Sequence, residues 1–203
     1  MIKVCGMREA DNIREVETLG IDMMGFIFWP KSSRFVNQRP NYLPKRVKRV
    51  GVFVDEDPEQ VKGLAADYGL DYIQLHGHES PEYIFQLGGL HIIKAFNIST
   101  AEDLLQTQPY EGLVDYFLFD AKGKSVGGNG EKFSWDVLSA YNGSTPFLLS
   151  GGIGPDDATN VKAFHHPKCI GIDLNSRFEL SPGLKDVAKL KEFMFNLNKI
   201  IEK

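Results

Sequence analysis

Eight short runs of strand-forming residues recur along the chain, each followed by a stretch of helical period or a remnant of one. The runs cover residues 2–5, 23–28, 49–54, 72–75, 91–96, 116–120, 146–150 and 169–173. Helices are expected over 8–19, 58–68, 101–106, 155–164 and 182–197, with one more from Ser80-Pro81 to Gly88. Asp57 before Pro58 and Ser80 before Pro81 are strong helix starts, a capping side chain followed by proline at the first helical position. Ser99 and Thr100 are capping candidates for the helix that follows them. Only weak helical signals, over 42–46 and 135–141, follow the second and sixth strands.

Such alternation demands parallel strands, because each helix carries the chain back to the same end of the sheet. Two architectures then compete, an open doubly wound sheet and a closed eightfold barrel. An open sheet for dinucleotides should show G-x-G-x-x-G opening its first helix, but the first strand runs into Val4-Cys5-Gly6-Met7-Arg8. Gly128-Asn129-Gly130 lacks the third glycine because Phe133 stands there, and Gly152-Ile153-Gly154 runs into Asp157. Gly123-Lys124-Ser125 resembles the tail of a P-loop, yet Leu118 occupies the position of its first glycine. Eight units favour the barrel, compact at roughly 25 residues per unit for a fold whose lower limit is ~200. No composition shift, proline-rich stretch or low-complexity run marks a boundary, so residues 1–203 are expected to form one domain.

Composition narrows the partners. Hydrophobic residues make up 42% and charged residues 25%, ordinary for a chain that buries a real core, and the formal charge is −4. Nucleic-acid binding would call for surplus clustered Lys and Arg, so no such partner is expected. The longest apolar run, residues 23–29, is far short of the ~18 residues of a membrane span. No secretory signal is read at Met1-Ile2-Lys3-Val4-Cys5-Gly6, so a cytoplasmic location is expected. Cys5 and Cys169 are the only cysteines. On neighbouring strands they would be offset by roughly 13 Å, beyond the ~7 Å that a disulfide spans between α-carbons.

The active site of a barrel lies at the carboxyl ends of its strands. Cys5 ends the first strand, Asp120 the sixth after an apolar run, and Arg34 lies on the long loop after the second. A free thiol at the mouth can act as nucleophile or base. A carboxyl group stripped of solvent should have a raised pKa and enter a reaction protonated, unless Asp120 merely braces a loop. Ser150-Gly151-Gly152-Ile153 and Asp173-Leu174-Asn175-Ser176 follow the last two strands, where barrels often bind phosphate through bare backbone N–H groups. Gly127-Gly128-Asn129-Gly130 offers a third edge. His76 and His78 are two apart, but Gly77 and Glu79 read as loop, so no metal site is expected.

Together these segments resemble a known family. Lys3-Val4-Cys5-Gly6, Gly25-Phe26-Ile27-Phe28-Trp29-Pro30-Lys31-Ser32-Ser33-Arg34, Gln74-Leu75-His76-Gly77, Gly127-Gly128-Asn129-Gly130, Ser150-Gly151-Gly152-Ile153 and Gly171-Ile172-Asp173-Leu174-Asn175-Ser176 look like phosphoribosylanthranilate isomerase of tryptophan biosynthesis. The resemblance implies an α/β fold, a single-domain (β/α)8 or TIM barrel, and an Amadori rearrangement of N-(5'-phosphoribosyl)anthranilate without metal or cofactor. It implies Asp120 as general acid and Cys5 as general base. Arg34 would hold the anthranilate carboxylate, with Asp173 near the sugar hydroxyls and His76 a further substrate contact. Gly128, Gly151, Gly152, Asn175 and Ser176 would hold the phosphate.

Asn175 stands where the family commonly has serine, still a donor, and Ser134 where it has aspartate, a difference expected only at a helix start. The expected partner is a small phosphoribosyl substrate, and the expected assembly a monomer or homodimer. Two other readings compete: another phosphosugar barrel, either an epimerase or a synthase making indole rings, and a binding protein that kept the phosphate loops and lost turnover. A thiol with one carboxylate favours the isomerase.

Overall fold

A computed structural model of the chain describes residues 1–121 and 135–199. Eight parallel strands close into a barrel in chain order. They are β1 (Ile2–Val4), β2 (Met23–Ile27), β3 (Lys48–Phe53), β4 (Tyr72–Leu75), β5 (Ile92–Ile98), β6 (Tyr116–Ala121), β7 (Phe147–Ser150) and β8 (Cys169–Leu174). β8 pairs with β1 and seals the ring. Every strand falls where alternation and β-branched or aromatic content place it, with edges moved by no more than two residues and β4 unmoved.

Side-chain parity makes two cores. Met23, Val50, Ile93, Ala95, Leu118 and Leu148 point inward and plug the barrel. Phe26, Phe53, Phe117, Phe119 and Phe147 belong to the larger cluster outside the strands. The two-residue period carries the inward set upward: Leu118 is followed by Asp120, Leu148 by Ser150, and Lys3 by Cys5. An apolar plug thus forms the floor, and the next residues on those strands form a polar layer above it.

The outer layer is uneven. Helices α1 (Ala10–Glu17), α2 (Pro58–Tyr68), α3 (Pro81–Gln86), α4 (Ala158–Ala163) and α5 (Val187–Lys199) flank the barrel. Asp57 caps α2 by accepting from Glu59 N at 2.9 Å and Gln60 N at 3.3 Å, and Ser80 caps α3 by accepting from Tyr83 N at 3.4 Å. The stretch after β5 is a 3₁₀ helix, Glu102–Tyr110, with Pro109 inside it. Its cap is the reverse of the expected one. Asp103 accepts from Ser99 N at 2.8 Å and Thr100 N at 2.9 Å, so Ser99 and Thr100 contribute backbone donors and not capping oxygens.

No helix forms over 42–46. Pro40 and Pro44 withhold backbone donors there, and buried Glu17 of α1 accepts from the Tyr42 hydroxyl and from the backbone N–H groups of Lys45 and Arg46. The weak signal near 135–141 becomes a 3₁₀ turn, Asp136–Ala140. The last helix starts later than Pro182. Pro182 and Gly183 instead turn a small antiparallel hairpin of β9 (Glu179–Ser181) and β10 (Leu184–Lys185). Among the described residues, no helix is long and apolar enough to cross a membrane.

Candidate active site

A cavity of about 250 Å³ opens at the carboxyl ends of the strands. Cys5, His76, Asp120 and Asp173 line it, each from a different strand or strand end. Gly151, Gly152, Asn175 and Ser176 complete one side, from the turns after β7 and β8. The structure therefore brings together eight of the ten expected site residues. Arg34 is not among the lining residues, and Gly128 lies outside the described residues, as do the rest of its glycine turn and Ser134.

Cys5 follows β1 and donates its N–H to Leu174 O at 2.9 Å, which ties it to the strand across the seam. Its side chain is 3% exposed. Gly25 on the neighbouring strand leaves room for the sulfur, since a Cβ there would stand 2.7 Å from Cys5 Sγ. Burial pushes the Cys5 thiol up and the Asp173 charge adds to that, while Lys3 and Lys185 pull the other way without cancelling it. Both cysteines are free thiols.

Asp120 sits near the end of β6, in register with Ser150 of β7 and Asn97 of β5. Beside it the chain turns through Gly151 at φ +98°, where a Cβ would come within 2.7 Å of Asp120 Oδ1. The backbone angle and the close approach both exclude a larger residue. Glycine here leaves room for the Asp120 carboxylate as well as making the turn.

His76 N donates to Phe53 O at 2.9 Å, and Gln74 Nε2 lies 3.2 Å from His76 Nδ1. Burial, with Lys3 and Lys94 nearby, lowers the imidazole pKa, so the ring is neutral near pH 7. His78 faces solvent and contacts Asp55 instead, so the two histidines diverge. Among the described residues, no group of three or more His, Cys, Asp or Glu side chains is placed to hold a metal ion.

Among the described residues, Lys3, Lys94 and Lys185 are buried, and none of the three is expected from the sequence as a charged neighbour of the site. Lys3 pairs with Asp173 at 2.8 Å, Lys94 with Glu79 at 3.1 Å, and Lys185 with Glu179 at 2.7 Å. Lys3 carries its own signal, since a lysine two residues before Cys5 on a strand shares its inward face. Lys185 and Glu179 carry none, because the sequence of the hairpin that holds them reads as loop and helix start. Gln74 and Ser150, which do line the cavity, follow from strand parity in the same way as Lys3.

Arg34 lies at the edge of this layer, on the loop after β2. Its guanidinium grips Glu179, with Nε 2.8 Å from Oε1 and Nη2 2.6 Å from Oε2. The hydrogen bonds to Glu179 raise the Arg34 pKa further, although burial opposes them.

The family model for N-(5'-phosphoribosyl)anthranilate isomerase matches residues 2–196. The chain belongs to this family. It is 52% identical over 202 residues to the N-(5'-phosphoribosyl)anthranilate isomerase of Parabacteroides distasonis, covering 96% of this chain and 91% of that one. It is 49% identical to the enzyme of the same name from Phocaeicola vulgatus, over the full length of both. Among solved structures it is similar to a phosphoribosyl anthranilate isomerase in complex with reduced 1-(o-carboxyphenylamino)-1-deoxyribulose 5-phosphate. The TM-score is 0.82 at 28% identity, with 98% of each chain covered. The phosphoribosylanthranilate isomerase family is thus the one that the six motifs resemble, and the barrel it implies is the one observed.

Proposed function

We propose that the chain, taken over residues 1–203 as one barrel, converts N-(5'-phosphoribosyl)anthranilate to 1-(2-carboxyphenylamino)-1-deoxyribulose 5-phosphate, with Cys5 as general base and Asp120 as general acid. The observation that carries this reading is one cavity lined by both groups together with the Gly151-Gly152 and Asn175-Ser176 turns. A pentose phosphate held by its anion at those turns lies within reach of an acid and a base supplied by non-adjacent strands.

Asp120 gives its proton to the furanose ring oxygen. The C1–O bond breaks, and the nitrogen lone pair forms a Schiff base at C1. Cys5 as thiolate then takes the proton from C2, and the electron pair left behind makes the enolamine, which tautomerises to the ketone. Positioned acid and base groups are each typically worth ~10²–10⁴-fold in rate. Lys3, buried beside Cys5 and bonded to Asp173, keeps positive charge next to the sulfur when the thiolate forms. Asp173 takes the sugar hydroxyls, His76 is a neutral substrate contact, and Arg34 binds the anthranilate carboxylate. Gly128 joins the phosphate group of residues in this reading.

In this reading the protein works as a monomer or homodimer in the cytoplasm. The test follows the fluorescence of the anthranilate adduct, made fresh, with the purified chain and with Cys5→Ala. Loss of the signal with the native chain alone supports the reading, and an equal rate with Cys5→Ala overturns it.

A further inference from the structure

Arg34 and Glu179 stand 145 residues apart in sequence and meet through three hydrogen bonds of 2.6 to 3.0 Å. Glu179 is 5% exposed and also accepts from Lys185 Nζ at 2.7 Å and Gly183 N at 3.2 Å. Lys185 Nζ in turn donates to Asn175 Oδ1 at 2.8 Å, a residue of the cavity wall. The cluster stands directly over the residue after the base. A Cβ on Gly6 would lie 2.7 Å from Arg34 Cδ and 2.8 Å from Asn175 Oδ1. It contains two cations and one carboxylate, a surplus of one positive charge.

A guanidinium has two edges that can grip a carboxylate in parallel, one through Nε and one Nη, the other through both Nη atoms. Glu179 takes the Nε edge completely. Among the described residues, none accepts from Nη1, so none of them occupies the second edge. We propose that Glu179 is a positioning residue for substrate recognition: it holds Arg34 by the Nε edge and presents the other edge to the aryl carboxylate. This rests on the reading of Arg34 given under Proposed function and adds the group that sets its direction. Lys185 fixes Glu179, and Asn12 fixes Lys185, accepting from its backbone N–H at 2.7 Å and donating to its carbonyl at 2.9 Å.

The sign of the effect follows from charge. Glu179→Gln removes a negative charge from beside the cavity, which by charge alone would favour an anionic probe, so weaker binding of the carboxylated probe cannot come from charge. Orientation of Arg34 is what is lost. The probes are the reduced product analogue, which carries the aryl carboxylate, and the same compound built on aniline, which lacks it. Their dissociation constants are measured by titration against the native chain, Glu179→Gln and Glu179→Asp, alongside steady-state kinetics.

The native chain prefers the carboxylated probe by about tenfold or more, as expected of a charge-assisted bidentate contact. Glu179→Gln weakens the carboxylated probe by about tenfold and the aniline probe by less than about twofold, raising KM with kcat nearly unchanged. Glu179→Asp recovers part of the preference, and it carries the test if Glu179→Gln does not fold. Equal weakening of both probes, no change in either, or tighter binding of the carboxylated probe overturns the role of Glu179. If the native chain shows no preference, the assignment of Arg34 fails and the proposal with it. Absence of turnover by the native chain would separately sink the function.

Discussion

Lys3 Nζ stands 2.8 Å from Asp173 Oδ1 across the seam where β1 meets β8, with 0% and 7% of the two side chains exposed. Burial acts against the lysine charge, but Asp173 and Cys5 outweigh it and hold the Lys3 pKa above its ordinary value. The pair lies beneath Cys5 on the strands that close the barrel. Lys3→Met would leave Asp173 charged, buried and alone, a change that typically costs about 3–5 kcal/mol. Urea unfolding should show that loss, and a destabilisation below about 1 kcal/mol, ordinary for an exposed pair, would show that the cavity beside Asp173 screens its charge.

Cys5→Ala removes the proposed base while leaving the phosphate turns in place. The expected result is a fall in kcat of ~10²–10⁴-fold with nearly native affinity for a product analogue. Binding lost in step with turnover would instead make Cys5 a packing residue.

Asp120→Asn keeps the shape of the side chain and removes its acidity. Turnover should fall by a similar ~10²–10⁴-fold factor. Native kcat in this variant would move the acid to another group in the cavity.

The rise of kcat/KM with pH reports the free enzyme's base. A base must lose its proton to act, and burial favours the neutral thiol of Cys5, so its ionisation is displaced to higher pH than that of an ordinary thiol. The rising limb should therefore extend into the alkaline range, and removing the Lys3 charge should push it higher. A profile already flat below the ordinary thiol range would contradict Cys5 as the titrating base. The ultraviolet absorbance of the thiolate, taken as a difference against Cys5→Ala, locates the same ionisation without turnover.

Gly25→Ala places a Cβ 2.7 Å from Cys5 Sγ and 3.1 Å from Cys5 Cα. Overpacking of this kind typically costs about 1–3 kcal/mol, and here the sulfur must also shift. The expected outcome is a lowered Tm together with a fall in kcat larger than any rise in KM. Unchanged kcat would show that the position of the sulfur tolerates the displacement.

Local pattern located the strands because the two-residue period and the aromatic and β-branched content are properties of a few neighbouring residues. Strand ends then pointed to Cys5, Asp120, His76 and Asp173, since a barrel puts its chemistry at one rim. Where local signals misled, a distant group had replaced the expected partner. Residues 42–46 form no helix because Glu17 takes two of their backbone donors. Pro182 reads as a helix start and is the corner of a hairpin, because Glu179 must turn back to meet Arg34 and Lys185.

The amino-acid order by itself determined the strand count, the parallel barrel and the family, because periodicity, capping pairs and glycine turns act over a few residues. Tertiary structure alone decided which charges meet. Lys3 with Asp173 and Arg34 with Glu179 are joined across 170 and 145 residues of chain. No local rule brings such groups together. Only closure of the ring, driven by burial of the apolar faces of its strands, sets them within hydrogen-bond reach and strips away the water that would otherwise screen them.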